Sequence, residues 1–199
     1  MSDSQITDDR DVVDLLISDH RTVEALLVEL ETRQGAAEHR RHLADVVIAE
    51  LVRHAVAEEA YVYPIARKVL PDGNEIADSE IAEHADVERA MKEWESTDPS
   101  GARFDELLSY LAGVVRDHVR EEENELFPRL RAATAREELV DAVAKVTAIK
   151  QLGPTRPHPA GPEHPTAHRL LAPGIGLVDR LRDALTGRPT SPEELRRQR

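Results

Sequence analysis

The sequence predicts an all-α protein, an antiparallel four-helix bundle made by duplicating one helical hairpin, and three observations carry that prediction. Residues 54–64 read HAVAEEAYVYP and residues 118–128 read HVREEENELFP, one phrase written twice, 64 positions apart from His54 to His118. The same offset sets DHRTVEAL (residues 19–26) over EHADVERA (83–90) without a gap, so that His20 meets His84, Val23 meets Val87 and Glu24 meets Glu88; a fixed register of this kind is the mark of a duplicated structural unit. Apolar residues recur at intervals of three and four rather than alternating, which is the helical period. Three turn-forming stretches, Gln34-Gly35, Pro71-Asp72-Gly73-Asn74 and Asp98-Pro99-Ser100-Gly101, separate the periodic segments. Connections that short between long helices make neighbours run antiparallel.

The first helix carries Val13, Leu16, Ile17, His20, Val23, Glu24, Leu27 and Leu30 on one stripe. The second runs through Leu43, Val47, Leu51, His54, Glu58 and Ile65, the third through Ile81, His84, Val87, Glu88, Met91 and Trp94. The fourth follows with Leu107, Leu111, Val114, His118, Glu122, Leu126 and Leu130. Pro64 and Pro128, which lack an N–H, are expected to kink or end their helices just past the glutamates. Leu139, Val140, Val143 and Val146 mark a fifth helix, so residues 1–152 form the bundle unit. From Gly153 the composition turns to GPTRPHPAGPEHPTAH, and residues 153–173 are expected to be an extended Pro-rich linker. Residues 174–199 are expected to hold a short amphipathic helix, with Leu177, Val178, Leu181 and Leu185 on one face, ahead of a frayed end, SPEELRRQR. That helix suits docking on the bundle, a homodimer contact or a protein partner, and the sequence does not choose.

Composition narrows the function. A net charge of −13 opposes binding of a phosphate backbone, so no nucleic-acid partner is expected. With no cysteine there is neither a disulfide nor a thiolate metal site. The start, MSDSQITDDRD, lacks the basic and apolar parts of a signal peptide, and no apolar run spans a bilayer, so the expected location is the cytoplasm, away from membranes.

Residues at i and i+4 leave a helix on one face. Each His-x-x-x-Glu pair, at His20, His54, His84 and His118, therefore presents an imidazole and a carboxylate together, in the middle of a stripe that otherwise faces the core. One such pair is ordinarily a solvated ion pair. Four register-matched pairs on inward stripes, with no Lys or Arg on those stripes, call for cations, because buried carboxylates and imidazoles are costly unless paired or bound to metal. Nitrogen and oxygen donors without sulfur suit iron, manganese or zinc, and carboxylates that can bridge suit a dinuclear centre. Neither the Glu-x-x-His of ferritin-like proteins nor the HExxH of zinc peptidases occurs.

The series His20, HAVAEEAYVYP, His84, HVREEENELFP over residues 10–132 resembles the hemerythrin-like, or HHE cation-binding, family. The resemblance implies a four-helix bundle with two iron ions, oxo- or hydroxo-bridged, one held by His20 and His54 and the other by His84 and His118, with Glu58 and Glu122 as bridging carboxylates. Oxygen-carrying members have His-x-x-x-His on the third helix and a bridging aspartate one residue further along the fourth. Here Glu88 and Glu122 stand at i+4. Glu88 is a candidate ligand, or like Glu24 a partner that orients an imidazole. Extra carboxylate favours the ferric state, which suits reaction with peroxide better than reversible oxygen carriage. Tyr61, three residues past Glu58, is the candidate catalytic side chain. Tyr63, opposite Phe127 in the repeat, is expected to pack, and Glu59 and Glu123 to be solvated. His39 and His42 are expected at the surface, while His158, His164 and His168 lie in the Pro-rich tract, where a weak second metal site is conceivable.

Three functions remain open on these grounds. The centre turns over hydrogen peroxide, as an enzyme of catalase-like type. Alternatively it binds or senses O2 or NO, or stores iron, as a binding module. Repair of iron-sulfur clusters ranks last, because relatives that do it carry an additional cysteine-bearing segment and this chain has no cysteine.

Overall fold

The computed structural model describes residues 10–32, 35–159 and 165–198, with only the backbone of 165–173. Its regular structure is helical throughout the described residues: α1 (Val12–Glu31), α2 (Ala37–Ala57), α3 (Tyr63–Val69), α4 (Gly73–Ser96), α5 (Ala102–Glu121), α6 (Phe127–Ala133), α7 (Arg136–Leu152), α8 (Pro165–Thr186) and α9 (Pro192–Arg197). The all-α helical bundle expected from the repeat is present. α1 begins at a reciprocal cap between Asp11 and Asp14, and Arg131 grips both carboxylates.

The four long helices close on one another. α1 packs on α2 and α5, and α4 packs on α2 and α5. Paired positions run in opposite senses along each contact: His39 meets Glu29 while His54 meets His20, and Arg116 meets Glu24 while Arg131 meets Asp11. Neighbouring helices are therefore antiparallel. The core divides into two apolar clusters. One, around Leu16, Tyr63, Ala66, Phe127 and Leu130, is covered by α7 through Leu139 and Val146. The other gathers Leu27, Leu30, Leu43, Trp94, Phe104 and Leu111. Each fully buried Leu or Phe contributes about 1.5 to 3 kcal/mol, enough in sum to offset a polar layer set between the clusters.

The prolines act differently from expectation. α2 and α5 each give way to one π turn just before the proline, at Glu58–Val62 and Glu122–Leu126, and the chain runs on helically through Pro64 and Pro128 as α3 and α6. The N–H of Tyr63 bonds the carbonyl of Glu58, and that of Phe127 the carbonyl of Glu122, five residues back. The missing donor of the proline is absorbed by this register change, and π turns of this kind collect at functional sites.

The C-terminal part also corrects the sequence reading. Residues 153–157 are buried against the protein as a strap rather than standing off as a spacer. α8 starts at Pro165, nine residues before the expected Gly174, and packs on α7 and the first π turn. It turns its acidic face inward: Asp179 accepts from the N–H groups of Thr155 and Arg156, and Asp183 takes Arg156 and Arg188. Leu177, Val178, Leu181 and Leu185 point outward. Buried carboxylates persist when every oxygen has a partner, and here the strap supplies them. The expected frayed end is α9, capped by Ser191 with Leu195 buried in the second cluster. His164 lies outside the described residues, as does the side chain of His168.

Candidate metal centre

Each long helix delivers one histidine to a single layer between the two apolar clusters. His20 and His54 form one pair, with Nε2 atoms 3.1 Å apart and ring centroids 4.8 Å apart. His84 and His118 form the other, with centroids 5.1 Å apart. Glu58 and Glu122, the first residues of the two π turns, lie between the pairs. Oε1 of Glu58 is 3.0 Å from Nε2 of His54, and its Oε2 is 3.5 Å from Nε2 of His84. Oε2 of Glu122 is 3.4 Å from Nε2 of His20 and 3.5 Å from Nε2 of His118.

Both carboxylates are 0% exposed, and no oxygen of either makes a hydrogen bond of normal geometry. A buried carboxylate without hydrogen bonds is held there by charge alone, here that of the facing imidazoles. Two such groups facing four imidazole Nε2 atoms form a cavity of donors that a cation would satisfy. Ligand atoms of His20, His54, Glu58 and Glu122 lie within 4.8 Å of one another, as do those of Glu58, His84 and His118, and those of Glu80, His118 and Glu122. The donors are nitrogen and oxygen with no sulfur, which fits a borderline to hard divalent or trivalent ion.

The far nitrogen of every ring meets a carboxylate. Nδ1 of His20 is 2.8 Å from Glu123, that of His54 is 3.3 Å from Asp19, that of His84 is 3.0 Å from Glu59 and that of His118 is 2.9 Å from Glu80. Arg21 holds Glu123, and Lys150 pairs with Asp19. For His20, His54 and His84 these are hydrogen bonds, the arrangement that fixes an imidazole tautomer and aims the free Nε2 at a metal, whereas His118 and Glu80 meet as an ion pair without hydrogen-bond geometry.

The electrostatics of the layer favour positive charge. Burial lowers the pKa of His54, but Glu58 and Asp19 outweigh it and raise the value to about 10. At His118 burial is likewise outweighed by Glu122, Glu80 and Glu58, and the value rises to about 9. Burial pushes the Glu58 carboxyl up, yet His54, His84 and His118 bring it down to about 2. Protons on His54 and His118 thus occupy the electrostatic place of a cation.

Of the expected site residues, His20, His54, Glu58, His84, His118 and Glu122 come together. Glu88 does not join these clusters; its Oε1 accepts the N–H of His158, 2.7 Å away, at the strap. Glu24 is bound to Arg116. Tyr61 packs at the margin of the first apolar cluster, and the tyrosine set against a histidine is Tyr63, fully buried, with its hydroxyl 3.4 Å from Nε2 of His84. The π turn is the reason. An α-helical count puts residue 61 on the face of Glu58, whereas the wider turn brings residue 63 there.

Glu59 and Glu123, expected in solvent, hold His84 and His20. Their signal was the repeated Glu-Glu itself. Asp19 and Glu80 were missed. Asp19 directly precedes His20, and Glu80 stands four residues before His84, one turn away on its face, at a position where the first repeat has Leu16. His158 pairs with Asp179, 2.9 Å away.

Comparison with known proteins agrees with this geometry. Residues 11–130 match the family model described as the hemerythrin HHE cation binding domain. A hemerythrin-like protein of Schizosaccharomyces pombe, itself uncharacterized, is 26% identical over 175 residues, covering 87% of this chain and 86% of that protein. A DNA nickase of Nostoc is 30% identical over 125 residues, 62% of this chain, but the match spans only 34% of the nickase. No solved structure matches.

Proposed function

The chain belongs to the hemerythrin HHE cation-binding domain family, and on that premise we propose that it is a non-haem di-iron protein that reacts with peroxide or binds O2-type small molecules. His20 and His54 would hold one ion and His84 and His118 the other, with Glu58 and Glu122 shared. The observation that carries the reading is Glu58, whose two oxygens go to different histidine pairs, fully buried and without hydrogen bonds. A carboxylate placed so has little purpose except to join two cations.

The ions would supply Lewis acidity and a change of oxidation state. This chain's residues would do the rest. Glu59, Glu80, Glu123 and Asp19 hold the rings in place, the two apolar clusters exclude bulk water, and Tyr63 presents a hydroxyl beside His84. Glu88, the extra carboxylate from which a ferric preference was expected, is engaged at the strap instead, so peroxide chemistry of catalase-like type over oxygen carriage is supported here by the Tyr63 hydroxyl beside His84. The competing reading, a sensor of O2 or NO or an iron reservoir without turnover, finds support in the strap, since Glu88 ties α4 to residue 158 a short way from the centre.

No helix of the described residues is long and apolar enough to cross a membrane; we place the protein in the cytoplasm. DNA nicking is not carried over from the Nostoc relative, given the partial match and the charge of −13. The outward face of α8, with Leu177 and Leu181 more than 60% exposed, supports self-association or a protein partner there; sedimentation of Leu181→Asp against the parent protein tests it.

Elemental analysis of protein from iron-supplemented cells tests the central reading. About two irons per chain, falling sharply in Glu58→Ala and Glu122→Ala, is the expected result. Little metal, or metal indifferent to both changes, would falsify it. Oxygen release from peroxide that depends on His54 then separates turnover from binding.

A further inference from the structure

A cavity of about 140 Å3 lies against the four histidines. Its walls include His20, His54, His84 and His118 but neither Glu58 nor Glu122, so the space opens on the side of the rings away from the shared carboxylates. The origin is legible in the register. Three residues on from His20 and His84 come Val23 and Val87, and three back from His54 and His118 come Leu51 and Val115; in an antiparallel bundle those four share one layer. With Val52 and Met91 they line the cavity. Further along, the second cluster fills its volume with Trp94, Phe104 and Leu111. Short β-branched side chains just beneath the histidines leave the space that larger ones close elsewhere.

The strap reaches the cavity's margin. His158 and Pro159 line it together with Glu88, and the polar groups there are engaged with one another: Glu88 accepts the His158 N–H, and the His158 ring meets Asp179. The interior therefore offers a guest an apolar wall of Val23, Leu51, Val52, Val87, Met91 and Val115, with the imidazoles at one end and Asp19, Glu59, Glu83 and Arg89 also on the lining.

We propose that this cavity is a binding site for a small uncharged apolar organic molecule, about the size of benzene, held beside the histidine layer and under residues 154–159. Apolar cavities of about 150 Å3 stay dry and take up benzene, so the volume suits a guest larger than a diatomic gas. A charged guest would lose its hydration without gaining a partner on the valine walls. Glu83 and Glu88 on its lining disfavour anions further, Arg89 there is exposed and paired with Asp86, and His54 and His118 already face Asp19, Glu58, Glu80 and Glu122. The site adjoins the metal positions proposed above and does not depend on their being filled.

Toluene is the probe, added to the full chain both metal-loaded and metal-stripped, with benzoate as the charged control. Titration calorimetry should give a Kd for toluene below about 1 mM in both forms, and no binding of benzoate. Val87→Phe and Val114→Phe fill the cavity from partly buried positions; each should weaken toluene at least tenfold while leaving iron content unchanged. Intermolecular NOEs from toluene to the Met91 methyl and to valine methyls locate the guest without any substitution. Absence of binding up to saturation of toluene in buffer, equal binding in both Phe variants, NOEs to other residues, or benzoate binding as tightly as toluene overturns the proposal. Toluene binding to a chain that proves to hold no iron would leave this site standing and remove only the di-iron reading.

Discussion

The phenol of Tyr63 stacks on the imidazole of His84, ring centroids 5.7 Å apart, with its hydroxyl 3.4 Å from Nε2. Burial first, and then the Glu58 and Glu122 carboxylates, push the phenol pKa well above its ordinary value, so the hydroxyl keeps its proton. A retained O–H beside a candidate ligand can donate to an anionic small molecule arriving there. Tyr63→Phe keeps the ring packing and removes the donor. Iron content should be unchanged, while peroxide turnover falls about tenfold or more, the worth of one good hydrogen bond to a charged group. Tyr61→Phe should leave the rate near that of the parent. Equal rates in Tyr63→Phe and the parent would remove the tyrosine from the chemistry.

Glu80 gives a second prediction. Its Oε2 sits 2.9 Å from Nδ1 of His118, and it is 4% exposed. Removing an outer carboxylate that aims a metal-bound histidine costs roughly 10- to 100-fold in metal affinity. Glu80→Ala should therefore show a loss of that order in competition with a chelator. Glu80→Gln, which keeps the shape and an oxygen near Nδ1 but removes the charge, should recover most of it if orientation is what Glu80 contributes. Equal losses in both variants would point to charge, not orientation, as the contribution of Glu80.

The bundle, its duplication and the six inward histidines and glutamates at His20, His54, Glu58, His84, His118 and Glu122 were readable because a 64-residue repeat and a 3.6-residue period are both written along the chain. What escaped depends on register or on tertiary contact. Tyr63 reaches the site past a π turn, where counting at 3.6 residues per turn points to residue 61 instead, and Glu59 and Glu123 stand one residue off the face that the periodicity turns inward. Glu80 has Leu16 as its counterpart, so the symmetry that revealed the other residues concealed this one. The strap reads as a linker because Pro-rich sequence has no internal hydrogen-bond pattern; its order comes from Asp179 and Asp183 on a helix about 25 residues further on.

Protons and metal compete for the histidines, which fixes a pH dependence. In the metal-free protein the folded pKa of His54 is about 10 and that of His118 about 9, both raised above the ordinary 6.5. Raised histidine values stabilise the fold fully below pH 6.5, and that stabilisation fades as pH climbs through 9 to 10. Glu58, lowered to about 2 from 4.5, contributes above pH 4.5 and loses its contribution as pH falls toward 2. Bound metal needs neutral imidazoles, so uptake below pH 9 releases protons and tightens as pH rises. Calorimetric unfolding of stripped and loaded protein between pH 5 and 9 should show the stripped Tm falling and the gap between the two forms widening toward high pH. A gap that narrows as pH rises would contradict proton displacement at these rings.

Gly176 decides whether the strap can sit where it does. A Cβ there would collide with the backbone carbonyls of Leu152 and Gly153, and backbone cannot swing aside as a side-chain tip can. Gly176→Ala must therefore shift α8, and Asp179, three residues on, moves with it. Asp179 is what holds the Thr155 and Arg156 N–H groups and the His158 ring, and His158 in turn bonds Glu88. Overpacking of this sort costs about 1 to 3 kcal/mol, a Tm drop of a few degrees or more in a chain of this length. Hydrogen exchange should quicken over residues 155–158, while iron content stays constant, because the four histidines stand on α1, α2, α4 and α5, and the π turn that carries Glu58, though touched by α8, is held by α2 and α3. Unchanged exchange in the strap would mean that Asp179 does not anchor it, and lost iron would mean that the C-terminal segment supports the centre directly.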